Sequence, residues 1–158
     1  MLQYIIGVFR LDSSTFETIE KDTSLTGRAA LIVVVVSLIS GLGNGFFSLF
    51  RDSSFFSGFF SSLVAVLLGW LLWSAITWLI GTRFFAGQAD LGEMLRVIGF
   101  AYAPQCLAII PCVGWIFPLI GGLLALVAGV LAIREAMDFD TGNAIVTVII
   151  GWLIVIAI

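Results

Sequence analysis

Along the chain, apolar runs of about twenty residues alternate with short segments that hold most of the charge. Residues 29–50, 59–80 and 115–133 carry no Asp, Glu, Lys or Arg. Residues 91–110 and 143–158 read as two further spans, the first with Glu93 and Arg96 near its start. A bilayer core of roughly 30 Å requires about 20 apolar helical residues. Stretches such as 31–36 and 123–131 are apolar on every face, whereas barrel strands alternate apolar and polar positions. Helices also satisfy their own backbone hydrogen bonds in lipid. The pattern therefore predicts an all-α, polytopic membrane bundle of five transmembrane helices.

The leader, residues 1–28, has a different texture. Leu2, Ile5, Ile6 and Phe9 form a helical stripe, and Ser14 with Glu17 has the spacing of a capping box that would open a second short helix at Thr15. An interfacial helix is expected here, with a loosely ordered leader as the alternative. The first long apolar run begins only at Ala29, after charged residues, so no cleavable signal peptide is expected.

Charge then sets orientation. If the N-terminus is cytoplasmic, the inner side receives Arg10, Lys21, Arg28, Arg83, Arg96 and Arg134, and the outer side only Arg51. That bias predicts N-in, C-out. Hydrophobic residues make up 61% of the chain and charged residues 11%, against about a quarter charged in soluble domains, so lipid must solvate this surface. With a net charge of −3 and no basic run, nucleic acid is excluded as a partner.

Small residues recur every fourth position as Gly41 and Gly45, Ser61, Ala65 and Gly69, and Gly121, Ala125 and Gly129. In lipid, helices associate by close packing at such faces. These sets are expected to pack helices within one chain, with homodimerisation as the alternative. The third span contains the sharpest constellation, from Arg96 to Gln105. Pro104 lacks an N–H, leaves the Phe100 carbonyl without its helical donor and should kink the helix. Tyr102 and Gln105 share a face, with Arg96 nearly opposite. Intramembrane polar groups mark binding sites, so Arg96, Tyr102, Gln105 and Asn44 are the candidate binding residues. For Arg96 the alternative is snorkelling to the headgroups; for Gln105 it is a structural hydrogen bond. Asn44 lies 15 residues after Ala29 and Gln105 lies 14 after Leu91, which places both about 21–23 Å from the inner end and predicts one shared polar pocket.

Asp90 and Glu93 have N-cap and N3 spacing for the third span. The segment from Arg134 to Asp140 matches no calcium loop and reads as a solvated loop. Cys106 and Cys112 form no CxxC; a disulfide between them and apolar packing as thiols both remain open. The chain has no His, and it lacks Walker and GxSxG sequences. No catalytic residue, metal site or cofactor is therefore expected, and the chain is read as a non-enzyme.

The order and spacing of several short motifs resemble the Yip (Ypt-interacting protein) domain family. They are Ser24-Leu25-Thr26-Gly27 before the first span, Phe85-Ala86-Gly87 leading into Arg96 to Pro104, Leu131 to Ala136, and Thr141-Gly142-Asn143-Ala144. The resemblance implies a helical membrane domain acting in membrane trafficking or organisation. Eukaryotic members bind Rab-type GTPases, but the long cytosolic region and Asp-Leu-Tyr-Gly-Pro motif of those members are missing, so that partner is not carried over. The compact form resembles prokaryotic members and implies a multi-pass protein of the prokaryotic inner membrane. Its expected partners are membrane lipids and either further copies or other membrane proteins. A small transporter or channel and a lipid-binding or bilayer-shaping protein are the competing classes.

Overall fold

A computed structural model describes residues 1–109 and 116–157, in which every regular element is helical. Two short helices, α1 (Leu2–Phe9) and α2 (Ser13–Lys21), precede a 3-10 turn and the long helices α3 (Thr26–Leu49) and α4 (Phe55–Phe84). Then come α5 (Leu91–Ala101), a 3-10 segment (Ala103–Ile109), α6 (Ile116–Ala136) and α7 (Thr141–Ala157). Among the described residues, three segments are long and apolar enough to cross a membrane, Thr23–Leu49, Phe55–Phe84 and Leu119–Ala136; Thr141–Ile154 is apolar but shorter.

The leader is ordered and packs on the bundle. Val8, Phe16, Ile19 and Leu25 are fully buried, because α2 packs across α5 and α6. Asp12, rather than Ser14, caps α2, its carboxylate accepting from the Ser14 amide at 3.1 Å. In α1, Tyr4 packs edge-on against Phe100 with ring centroids 6.0 Å apart, while Leu2 and Ile6 stay exposed.

Helices α3 and α4 form a hairpin that closes through glycine. A methyl group on Gly45 would lie 2.7 Å from Phe55 Cε2, and one on Gly41 would lie 3.1 Å from the Phe59 carbonyl oxygen. Beyond this seam, Phe46, Phe47, Phe50, Phe56 and Phe60 point outward, a surface suited to hydrocarbon. Ser61 and Ala65 of α4 are exposed too. Their expected role in helix packing fails, because the packed face of lower α4 is Trp70, Ser74, Thr77 and Gly81 instead.

The element α5 is the centre of the molecule, with Met94, Val97, Ile98 and Phe100 buried. Its start is a capping box: the Glu93 amide donates to Asp90 at 2.7 Å and the Asp90 amide to Glu93 at 2.8 Å. Two indoles of α4 hold this region, Trp70 Nε1 donating to the Leu95 carbonyl of α5 at 3.1 Å and Trp78 Nε1 to the Ala89 carbonyl just before it at 3.0 Å. The span expected over 91–110 is not one α-helix. It stops at Ala101 because Pro104 cannot donate to the Phe100 carbonyl and its ring crowds that turn. The chain continues with i to i+3 bonding, the Gln105 amide donating to the Tyr102 carbonyl at 2.9 Å.

Helix α6 buries Ala128, Ala132, Ile133 and Ala136 on the face that meets α5 and the leader. Gly121 packs on the 3-10 segment, where a methyl group would lie 2.7 Å from the Pro104 carbonyl oxygen. Helix α7 meets α4 and α6, with Gly151 against Trp73 and Thr77. Cys112, and with it the question of a bond to Cys106, lies outside the described residues.

Candidate functional site

Two polar features lie within the apolar bundle, one on each side of α5. The first is built on Arg96, which falls between Met94 and Val97, both buried residues of α5, on the side that meets α2 and α3. It is only 5% exposed, so it does not snorkel to a headgroup. Arg96 Nη2 donates to the Glu20 carbonyl at 2.5 Å and Nη1 to Thr26 Oγ1 at 3.4 Å. Glu20 sits in the last turn of α2, where carbonyls lack helical donors and the helix end is partially negative. The guanidinium therefore caps α2 and ties it to the start of α3.

Arg134 of α6 holds the opposite end of α2. Its Nη2 donates to Ser13 Oγ at 2.8 Å, and it pairs with Glu135. An arginine thus grips each end of α2. Glu20 shares the buried side, with Oε2 unpartnered among the described residues. Burial pushes its carboxyl up from 4.5 to about 7; Lys21 opposes the shift, and Asp138, Glu93 and Glu17 add to it. On the exposed face of α2, Lys21 and Glu17 pair at 2.6 Å.

The second feature follows from the break at Pro104. Three-residue spacing in the 3-10 segment stacks Tyr102 and Gln105 on one side, where they face a cavity of about 500 Å³ between α4, α6 and α7. Its walls include Gly69 and Trp73 of α4, Ala125 and Gly129 of α6, and Trp152 of α7. Gly69, Gly122 and Gly129 have no atom within 4 Å of where a methyl group would sit. Gly69 and Gly129 were expected as packing contacts, and so was Ala125. They instead leave the space that forms the cavity.

The four candidate binding residues therefore divide. Tyr102 and Gln105 share the cavity, and Arg96 belongs to the leader clamp. Asn44 is in neither site. Its Nδ2 donates to the Ser40 carbonyl at 3.0 Å and to Ser62 Oγ at 3.1 Å, which makes it a tie within the α3–α4 hairpin and dissolves the pocket expected with Gln105. Glu20, Trp73 and Trp152 were missed. For Glu20 a signal existed, since Phe16, Ile19 and Glu20 stand at i, i+3 and i+4 on one face.

Chemically, the cavity offers a phenol, a carboxamide and two indoles within apolar walls, with no charged group among its lining residues. Among the described residues, no group of three His, Cys, Asp or Glu is placed to hold a metal ion. No curated protein and no solved structure matches the chain. The Yip1 domain model, however, matches residues 6–158. That match takes in both the leader clamp and the cavity, and the chain belongs to the Yip1 domain family.

Proposed function

We propose that this Yip1-domain protein is a non-enzymatic, five-span component of a prokaryotic inner membrane, oriented N-in, C-out, that organises the membrane through contacts with other membrane proteins. The observation that carries the reading is the double arginine grip on α2. A buried guanidinium costs several kcal/mol of desolvation unless its hydrogen bonds offset it. Here it fixes a short polar helix on the bundle with Glu17 and Lys21 turned outward, a pre-organised surface for a partner. The same reading is supported by the hydrogen bonds that Trp70, Trp78 and Asn44 make within the bundle.

The test places a photocrosslinking amino acid at Thr18, on the exposed side of α2, in cells. Discrete protein adducts that disappear in an Arg96→Gln background are expected. Adducts unchanged in that background, or gradient-driven solute flux through proteoliposomes of the purified protein, would overturn the reading.

A further inference from the structure

We propose that the cavity behind Tyr102 and Gln105 is a binding site for an uncharged lipid bearing an isolated carbonyl or hydroxyl, taken up laterally from the bilayer interior. The depth assigned to it rests on the five-span reading above.

Size comes first. About 500 Å³ lies within the roughly 300–1,000 Å³ typical of small-molecule sites. The space is made by backbone that lacks side chains, since Gly69, Gly122 and Gly129 each face open volume. Elsewhere the same chain uses glycine for contact, with Gly45 against Phe55 and Gly121 against Pro104. Rim residues Leu72, Leu126 and Trp152 are 57%, 50% and 58% exposed, so the mouth opens on the lipid-facing surface.

The lining selects the ligand. Leu72, Ile76, Leu126 and Val148 make apolar walls, and Trp73 and Trp152 add flat indoles that suit a ring or a chain. Tyr102 and Gln105 can donate to a carbonyl or accept from a hydroxyl. Neither can neutralise a phosphate, and burying an unpaired charge is prohibitive. From Leu91, the 11-residue helix α5 followed by the 3-10 turn puts Tyr102 about 17 Å and Gln105 about 22 Å from the inner end. In a core roughly 30 Å thick, that puts Tyr102 near the bilayer centre and Gln105 about halfway from it to the outer headgroup plane. A charged phospholipid headgroup does not reach this depth. Neutral lipids that leave the headgroup plane do, and two sources offer the required chemistry: an isoprenoid-type quinone with ring carbonyls, and a diacylglycerol with a hydroxyl and esters.

The experiment uses the full chain in phosphatidylcholine nanodiscs and follows tryptophan fluorescence as decylubiquinone, a direct quencher, is added. Dioleoylglycerol and phosphatidylglycerol serve as competitors. Saturable quenching is expected, unaffected by phosphatidylglycerol. Displacement by dioleoylglycerol assigns the site to hydroxyl-bearing lipids as well; its absence restricts the site to quinones. Tyr102→Phe and Gln105→Leu should each weaken binding about 3- to 10-fold, the equivalent of one neutral hydrogen bond. Ala125→Leu, filling the cavity, should abolish saturation, and Ala65→Leu, on an exposed face of α4, should leave it unchanged. Gly129→Leu, whose side chain would start in open space and project into the cavity, is the second blocking variant if Ala125→Leu does not fold.

Quenching that does not saturate, that is equal in the blocked variants, or that phosphatidylglycerol competes away overturns the proposal. A failure of the five-span reading is distinct, because it would appear in cysteine accessibility while saturable binding persisted.

Discussion

Arg96 shows how one residue in this chain takes a different role from the one its position implies. At about a turn and a half into a span it looks like a snorkelling side chain, yet its contacts run sideways to Glu20 and Thr26. Arg96→Gln should therefore loosen α2 without disordering α5, at a cost of about 1.5–3 kcal/mol, the range for hydrogen bonds to a charged group. Hydrogen exchange should show the change confined to α2 and the first turn of α3; a uniform loss across the bundle would contradict the clamp. Glu20 adds a pH dependence. Its carboxyl is raised from 4.5 to about 7, so the folded leader favours the protonated form. The associated stability is fully present below about 4.5 and is lost as pH rises through about 7. Protection of the α2 amides should fall between pH 5 and 8, and Glu20→Gln should flatten that profile. Asp12, Glu17 and Asp22 are held below their ordinary values by hydrogen bonds and do not titrate in this window.

At the scale of elements, small residues do two opposite jobs, and only neighbours tell them apart. Gly99 packs with Ala29 Cβ 2.9 Å from an added methyl group, and Gly121 with the Pro104 carbonyl at 2.7 Å. Gly99→Ala and Gly121→Ala should each cost about 1–3 kcal/mol by overpacking, read as a lower thermal midpoint in detergent. Gly129→Ala, with open space around it, should hold or raise the midpoint, since alanine is the better helix former. Equal behaviour of the three variants would refute the distinction. The same contrast explains what the sequence could disclose. Helical character, the Asp90–Glu93 box and the break at Pro104 follow from local rules and were legible. The cavity was not, because a four-residue repeat such as Gly121, Ala125 and Gly129 looks the same whether a helix or a void lies opposite. The cap of α2 at Asp12 instead of Ser14 is a smaller case, in which two oxygen-bearing residues two positions apart could each have accepted the orphan amides.

For the molecule as a whole, the clamp and the charge distribution bear on the same orientation. Arg96 and Arg134 both bond to α2, Arg28 lies in the first turn of α3 and Arg83 in the last turn of α4. Met137, at the end of α6, meets Gly81 and Gly87 on either side of the α4 terminus, which brings the α4–α5 and α6–α7 connections together beside the leader. Arg51 lies in the α3–α4 turn, its guanidinium 5.7 Å from the centre of the Phe47 ring, at the far end of a hairpin whose α4 arm has 30 residues. That arm is about 45 Å long and exceeds a hydrocarbon core of roughly 30 Å, so it must tilt or project beyond it. Because basic residues are retained on the cytoplasmic side, the leader end should be inside and the hairpin tip outside. In a background with Cys106 and Cys112 replaced by Ser, cysteine placed at Asp52 should react with an impermeant maleimide on intact cells, and cysteine at Asp140 only after lysis. Labelling at position 140 alone in intact cells would reverse the orientation, and labelling at both positions would require an even number of crossings between them in place of the three expected through α4, α5 and α6.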